Sequence, residues 1–288
     1  MSSFYDSNAS HFSLETFAHL ALKEDVGTGD ITSLSTISPH QEGYMQLLAK
    51  QEGVIAGVEA VQKILAYIYP EALLEIFIPD GSTIKKGDVV FHIQGNLQKL
   101  LSYERLLLNI MQRMSGIATK THYLQSLCQN TKAKITDTRK TTPLFRFFEK
   151  WAVHIGGGAN HRWGLYDMVL IKDNHIDAAG GIDKAIMKCR QYLQKHSLPL
   201  KIEVETRNLH EVLMALPYQP DRIMFDNFSV EQVKKAVDII AGTTETEASG
   251  GINEQNIQLY AQTGVDFISI GALTHHISSL DLSLKLIQ

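Results

Sequence analysis

The chain has 288 residues, of which 44% are hydrophobic and 20% charged, with 20 glycines and only 7 prolines. This composition is typical of globular proteins and excludes collagen-like and disordered chains. The two cysteines, Cys128 and Cys189, are too few for a disulfide framework, and they lack the spacing of a zinc ribbon or a C-x-x-C redox site. The formal net charge is −4, yet residues 131–172 contain eight Lys and Arg against three Asp and Glu. A cationic segment in an acidic chain favours a small anionic ligand over nucleic acid, which requires a broad basic surface.

The N-terminal sequence MSSFYDSNASHF has no basic segment followed by an apolar stretch. We therefore expect no secretory signal and a cytoplasmic protein. Apolar runs stay well short of the roughly 18 residues that cross a bilayer. One of the longest, GVIAGVEAV at 53–61, contains a glutamate. The sequence thus predicts no membrane insertion.

Residues 1–114 are predicted to form an N-terminal α+β domain. Ser13 precedes apolar residues at helical spacing, and an alternating strand pattern runs from about residue 43 to 98. Within it, IPDGSTIKKGDVVFHIQG has the turn-and-strand pattern of lipoyl and biotinyl carrier domains, but no lysine stands in the carrier hairpin, which disfavours a swinging-arm carrier. Residues 99–114 are apolar at nearly every turn and predict a buried helix.

Residues 115–275 are predicted to form a second domain, in which strands alternate with helices. Each candidate strand has β-forming residues in its middle and a polar C-terminal end. The strands span 134–140, 167–173, 200–206, 221–227, 244–250 and 266–272. Six such steps predict a parallel sheet with helices outside, and their short length favours a small α/β barrel over an open doubly wound sheet. A G-x-G-x-x-G motif after a strand is absent from the sequence, so a Rossmann site has no support. The last segment, 276–288, is expected to pack back on the first domain.

The C-terminal ends of these strands are polar, and in a parallel barrel they all open on one face. Cations end the first two strands, carboxylates the next two, and small residues the last two. In chain order these ends contain Arg139, Lys140, Lys172, Asp173, His175, Glu205, Asp226, Asn227, Ser249, Gly250, Gly251 and Gly271. A strand that ends in solvent often finishes with a charge, which accounts for part of this set. The segregation of signs favours a site for a polyanion, a metal ion and a phosphate.

Each group of side chains suits one part of such a ligand. Arg139 and Arg162 have planar guanidinium groups that grip a carboxylate with two parallel hydrogen bonds, although either one alone is more typical of a surface arginine. Glu205 and Asp226 offer the hard oxygen ligands that Mg²⁺ prefers, with a pair of solvated acids as the alternative. Glycines such as Gly250 let the backbone approach a phosphate closely, or simply turn the chain.

The segment GGGANHR, residues 156–162, is ordinarily a flexible loop. It is consistent with a mobile loop that closes over a bound anion, and equally with a plain turn between a helix and a strand. His154 and His175 fit surface or supporting positions, and we assign neither a role in proton transfer.

Several motifs together resemble one enzyme family, quinolinate phosphoribosyltransferase, also called nicotinate-nucleotide pyrophosphorylase (carboxylating). The carrying segments lie between about residues 24 and 276 and read EDVGTGDIT, ERLLLNIMQRMSGIAT, DTRKTTP, GGGANHRWGLYDMVLIKDNHI, IEVE, FDNF, EASGGI and ISIGALTH. The combination of DTRKTTP, GGGANHR and LIKDNH is highly specific. The resemblance implies an N-terminal open sandwich domain, a C-terminal α/β barrel and a homodimer whose sites face the neighbouring N-terminal domain.

The resemblance also implies roles for individual residues. Arg105 resembles an arginine that reaches into the partner's site. The groups around quinolinate are matched by Arg139, His161, Arg162 and Lys172. Lys140 and Lys172 match groups near the ribose phosphate and pyrophosphate, Glu205 and Asp226 match carboxylates for Mg²⁺ and the ribose hydroxyls, and the 5-phosphate region is matched by Ser249, Gly250, Gly271 and His275. Lys140, Lys172, Glu205 and Asp226 are accordingly the expected catalytic residues.

Two departures from the family pattern concern the segment after Pro143. Leu144 and Phe145 stand where the family often has glycine, and His154 stands where Lys or Arg is common. The conformation of this loop is therefore not fixed by the resemblance.

The implied reaction transfers a phosphoribosyl group from PRPP to the nitrogen of quinolinate and releases CO2 and pyrophosphate. It gives nicotinate mononucleotide, an intermediate of NAD biosynthesis. Two alternatives come from other classes. One is a barrel aldolase that uses Lys140 or Lys172 as a Schiff base. The other is a small-anion-binding relative with a degenerate site, such as the relative associated with molybdate transport.

Overall fold

The structure, a computed structural model, describes Phe4 and residues 12–287, and these residues form two compact units. The first unit contains the described residues up to His122, Thr142–Gly157 and the segment that begins at His276; the second contains Tyr123–Thr141 and Gly158–His275. Among the described residues, none of the helices combines the length and apolar character that a membrane span requires.

The first unit is built on a four-stranded antiparallel sheet with the order β12-β1-β5-β3. Its strands are β1 (Glu42–Ala49), β2 (Gly53–Val54), β3 (Leu73–Ile76), β4 (Thr83–Ile84), β5 (Val89–Asn96) and β12 (Leu282–Leu286), of which β2 and β4 form a separate ribbon. Its helices are α1 (Leu14–Val26), α2 (Ile31–Thr36), α3 (Val58–Ile68), the first part of α4 (Leu97–Leu127) and α5 (Arg146–Ile155). The chain returns to this unit at its end, because β12 pairs with β1 from Met45 opposite Leu286 to Ala49 opposite Leu282.

Helix α4 is longer than the sequence pattern predicts. We expected a helix over 99–114, but the observed helix continues to Leu127. Gly116 lies within it at a close contact, because a Cβ at this position would overlap the carbonyl oxygen of Ser278. A glycine that normally weakens a helix is therefore required here by the return of the chain.

The segment after Pro143 is held by a buried ion pair in the first unit. The Nε of Arg113 donates to Oε1 of Glu149 at 2.8 Å, and the backbone N–H of Thr142 donates to Oε2 of the same carboxylate at 3.2 Å. Leu144 has a φ of 62° and is 85% exposed. A left-handed backbone suits glycine better than leucine. The departure at Leu144 thus keeps the turn at some cost in strain.

The second unit is the predicted parallel α/β barrel. Its strands are β6 (Lys134–Thr136), β7 (Val169–Ile171), β8 (Ile202–Thr206), β9 (Arg222–Asp226), β10 (Glu245–Ser249) and β11 (Phe267–Ser269). They pair in the order β6-β11-β10-β9-β8-β7, and every pair is parallel. The helices between them are α6 (Asp173–Ala179), α7 (Ile182–Lys195), α8 (Leu209–Ala215), α9 (Val230–Ile240), α10 (Ile257–Ala261) and α11 (Ala272–His275). All six predicted strands are present, each shorter than predicted at one end or both.

Capping side chains fix where these helices begin. Ser229 accepts from the backbone N–H of Gln232 at 3.3 Å, and the Gln232 side chain accepts from the N–H of Ser229 at 2.8 Å. This reciprocal pair is the capping box that the sequence predicts for α9. The capping box fixes the start of α9. Asp226, the last residue of β9, and Asn227 therefore lie just before this helix.

Candidate active site

Alternate residues of the barrel strands share one face, and the polar ones gather around a single cavity of about 440 Å³. The cavity lies within the second unit and is lined by Thr138, Arg139, Lys140, His161, Arg162, Leu170, Lys172, Glu205, Met224, Asp226, Glu247, Ser249 and Ser269. Eight of the residues singled out from the sequence therefore come together: Arg139, Lys140, His161, Arg162, Lys172, Glu205, Asp226 and Ser249.

The cavity brings cations and carboxylates together. The Nζ of Lys172 lies 2.9 Å from Oε2 of Glu205 and donates to it. Arg162 is partly buried, and burial together with the nearby charge of Arg139 lowers the pKa of its guanidinium. The two arginines thus repel each other. An anion bound between them would relieve that repulsion.

The backbone of Lys140 is fixed from two sides. Its N–H donates to Oγ1 of Thr138 at 3.0 Å, and its carbonyl accepts from Oγ1 of the buried Thr274 at 2.7 Å. Gly271 lies against the same lysine, because a Cβ on it would stand 3.2 Å from Cδ of Lys140 and 3.0 Å from Nε2 of His275. Gly271 and His275 therefore adjoin Lys140 without lining the cavity itself.

Gly250 follows β10 in a left-handed conformation with a φ of 93°. A Cβ there would overlap the side-chain oxygen of Asn227 and lie 2.9 Å from its backbone nitrogen. That backbone N–H donates to the carbonyl of Ser249 at 2.8 Å, and the Asn227 amide donates to Oδ2 of Asp226 at 2.8 Å. The glycine thus allows the ends of β9 and β10 to meet beside the cavity.

The GGGANHR segment is part of the barrel wall. Ala159 bridges to β6 in parallel fashion, and its N–H donates to the carbonyl of Ile135 at 2.8 Å. The buried Asp137 then accepts from the side chain of Asn160 at 2.6 Å and from the N–H of His161 at 3.0 Å. The interpretation of this segment as a mobile loop is therefore wrong for residues 159–161, since a carboxylate at the end of β6 holds them in place.

Two predicted or considered residues lie elsewhere. Arg105 is exposed on α4 in the first unit, and within the described residues its guanidinium has no carboxylate within 4.0 Å. Glu104, the neighbouring acid on the same helix, thus forms no salt bridge with it in the described residues. His175 supports the start of α6, where its Nδ1 accepts from the N–H of Lys172 at 3.0 Å.

Comparison with known proteins agrees with this arrangement. The family profile "Quinolinate phosphoribosyl transferase, N-terminal domain" matches residues 30–115, and the profile for the C-terminal domain of the same family matches residues 117–285. The chain belongs to the quinolinate phosphoribosyl transferase family.

Several similar members of this family are known. Quinolinate phosphoribosyltransferase [decarboxylating] 2b, mitochondrial, from Nicotiana tabacum is 43% identical over 96% of this chain and 82% of its own length. The probable nicotinate-nucleotide pyrophosphorylase [carboxylating] of Bacillus subtilis is 40% identical over 95% of this chain and 93% of its own. The crystal structure of NadC from Streptococcus pyogenes superposes with a TM-score of 0.91 at 35% identity and covers 100% of both chains.

A buried polar layer near this quinolinate phosphoribosyl transferase site was missed from the sequence. Glu203 and Glu247 are fully buried, and burial raises the pKa of each to about 7. Arg222 lies 2.7 Å from Oε2 of Glu247 and stacks 3.8 Å from the ring of Phe267. The signal was present, because Glu203 stands two residues before Glu205 in a strand and must share its face.

The two glycines after β10 give a matched test of this geometry. Gly250→Ala should lower the free energy of unfolding by about 2 kcal/mol or more. The new Cβ overlaps the Asn227 side chain, and the alanine must also adopt the left-handed backbone of the glycine. Gly251→Ala shares the positive φ but meets nothing within 4 Å, so it should cost only about 1 kcal/mol. Urea unfolding of both variants measures the difference. Equal losses would contradict the close contact at Gly250.

Proposed function

We propose that this chain transfers the phosphoribosyl group of PRPP to the ring nitrogen of quinolinate and gives nicotinate mononucleotide, pyrophosphate and CO2, a step in NAD biosynthesis. The observation that supports it most is the cavity in which Arg139, Arg162 and Lys172 meet Glu205 and Asp226. Quinolinate carries two adjacent carboxylates, and PRPP carries a phosphate and a diphosphate. The activities in the names of the Nicotiana and Bacillus relatives support the same reaction.

In this proposal the arginines bind the substrate acid. Arg139 and Arg162 take the quinolinate carboxylates through bidentate hydrogen bonds, and Lys172 lies close enough to the same cavity to assist them. His161 stands beside Arg162. This arrangement orients the ring nitrogen toward the sugar, and orientation of two bound reactants is itself a large part of catalysis.

Lys140 and Lys172 are assigned to the phosphate end of PRPP. Negative charge grows on pyrophosphate as its bond to the ribose breaks, and a fixed cation stabilises that charge in the transition state. Ser249, Gly250, Gly271 and His275 lie on or beside the last two strands and are assigned to the 5-phosphate, where backbone N–H groups near glycine reach an anion closely.

Glu205 and Asp226 fit a Mg²⁺ ion. Their carboxylates line the cavity at the ends of neighbouring strands. One oxygen of Glu205 accepts from Lys172, and one oxygen of Asp226 accepts from Asn227. In the part of the chain that the structure describes, the second oxygen of each makes no hydrogen bond. When bound, Mg²⁺ would offset the charge of the diphosphate of PRPP. The same carboxylates face the ribose hydroxyls.

Loss of CO2 requires no general base from the protein. Once the ring nitrogen carries the ribose it is positively charged, and the ring accepts the electron pair that remains at C2. The protein contributes by holding the ring in place. The aldolase alternative requires a Schiff base on Lys140 or Lys172, and trapping with borohydride would reveal one.

The active form is proposed to be a homodimer in which Arg105 completes the site of the partner. An exposed arginine without a carboxylate partner in the described residues supports a role toward an external anion. A cytoplasmic location remains part of the proposal. Relatives from plants carry mitochondrial and chloroplastic designations, so cell fractionation is its test.

The function is tested with purified chain, Mg²⁺, PRPP and quinolinate labelled at the C2 carboxylate. We expect labelled CO2 and nicotinate mononucleotide in equal amounts, both dependent on PRPP, and loss of both on chelation of Mg²⁺. A small-anion-binding protein without activity would bind quinolinate but release no CO2. That outcome would contradict the proposal.

Replacing either cavity arginine by lysine tests the carboxylate clamp. Arg139→Lys and Arg162→Lys should each weaken quinolinate binding about ten-fold to a hundred-fold, because a point charge replaces a bidentate donor and about 1.5 to 3 kcal/mol is lost. Arg190→Lys, on the exposed face of α7, is the matched control and should leave binding unchanged. Calorimetry measures the affinity. Unchanged affinity in both cavity variants would refute the clamp.

Mixing two inactive variants tests the shared site. Arg105→Ala and Lys140→Ala should each be inactive alone, and a heterodimer of the two combines one intact barrel with one intact Arg105. Activity should therefore return on mixing, at up to about a quarter of the unmutated value if subunits exchange at random. Native mass spectrometry confirms the exchange. If the heterodimer forms and no activity returns, Arg105 does not act across the interface.

A further inference from the structure

His161 lies between the substrate cavity and the buried polar layer of the barrel. Its Nε2 stands 3.0 Å from Oε2 of Glu203 and 3.5 Å from Oε1 of Glu247, and both carboxyl groups are fully buried. Such a grouping of one imidazole and two carboxyls resembles a metal site, since the three ligand atoms lie within 4.8 Å of one another.

The other ring nitrogen decides how this histidine is protonated. Nδ1 lies 2.8 Å from the backbone nitrogen of Arg162, whose N–H donates to it. A peptide N–H is always a donor, so Nδ1 carries no proton and the proton of the neutral ring is on Nε2. A protonated Nε2 does not ligate a metal ion. The grouping is thus an arrangement of a ring N–H facing two carboxyl groups.

Both ring nitrogens of His161 lie against protein groups. Nδ1 accepts from the N–H of Arg162, whereas Nε2 lies within ion-pair distance of Glu203 and Glu247 without a well-aligned hydrogen bond to either. The residue also lines the cavity. Its ring thus lies between the buried carboxyl groups and the backbone of the residue that carries the guanidinium.

Two further hydrogen bonds hold His161 and Arg162. The N–H of His161 donates to Oδ1 of Asp137 at 3.0 Å, and Nη1 of Arg162 donates to the carbonyl of Met168 at 3.3 Å. The backbone of Arg162 depends on the orientation of the histidine ring, and that orientation depends on its partners in the barrel interior. Among the described residues, the His161 ring is the side chain that accepts from the Arg162 backbone N–H.

We propose that Glu203 and Glu247 are positioning residues that act through His161 to place Arg162 for the quinolinate carboxylate. The inference rests on the proposed function. In this proposal His161 supports the arginine that binds the quinolinate carboxylate. Glu203 and Glu247, which touch no substrate, therefore affect the affinity for quinolinate and not that for PRPP.

The test separates contact with His161 from burial and charge. Glu203→Leu removes the contact, and because it takes one buried carboxyl away from His161 and Arg222 the Tm should fall. We expect the KM for quinolinate to rise about ten-fold or more and the KM for PRPP to change by less than about two-fold. A residue that only supports the fold would lower the Tm and affect both substrates alike.

Two further variants keep the test decisive. Glu203→Gln retains a polar group at the same reach and should restore the KM for quinolinate to within about three-fold of the unmutated value. Glu203→Asp keeps the charge but withdraws the carboxylate by one methylene, so it should show the selective rise even if Glu203→Leu does not fold. Glu211→Leu is the control, because Glu211 is also buried but lies on α8 and pairs with Arg207; its Tm should also fall, and both KM values should stay unchanged.

The unmutated chain distinguishes the two proposals. If it forms no nicotinate mononucleotide, the proposed function fails and the inference fails with it. If it is active and both Glu203→Leu and Glu203→Asp retain its KM for quinolinate, the inference alone is overturned. Equal loss for both substrates would overturn it as well, because the effect would then be structural.

Discussion

Convergence of Arg139 and Arg162 on one cavity is the constraint on which the site depends. Burial, and after it the charge of Arg139, lowers the pKa of the Arg162 guanidinium, so the free protein holds this cation at a cost. A dianion at the cavity offsets that cost and gains charge-assisted hydrogen bonds, whereas a monoanion does so only in part. The arrangement therefore favours an acid with two carboxylates. Lys172, which pairs with Glu205, adds a third basic side chain to the same cavity.

The barrel makes this crowding of charge possible. Parallel strands direct their C-terminal ends to one face, so residues that are far apart in the sequence, such as Lys140 and Ser249, meet at a single cavity. The cations stay in place because buried polar side chains hold the backbone near them. Asp137 holds the segment before Arg162, and Thr274 holds the carbonyl of Lys140. Rigid support of this kind limits the loss of entropy when the ligand binds.

Much of the fold and of the site could be predicted from the sequence because both are periodic. Six strands with polar ends predicted the barrel and brought eight of the named residues together. What failed depended on contacts between distant residues. The GGGANHR segment looked mobile, since glycines are locally flexible, but Asp137 fixes its end. The continuation of α4 beyond residue 114 carries no strong local signal. Glu203 was not predicted because it lies inside the strand and not at its polar end, although its spacing from Glu205 places it on the same inward face.

The most direct test of the account is the affinity of the free protein for two acids that differ by one carboxylate. Calorimetry with quinolinate and with nicotinate, in the absence of PRPP, measures what the arginine pair contributes to binding alone. The account predicts that quinolinate binds at least about ten-fold to a hundred-fold more tightly, since each charge-assisted contact contributes about 1.5 to 3 kcal/mol. Equal affinity for the two acids would contradict it, because the cation pair would then play no part in recognising the second carboxylate.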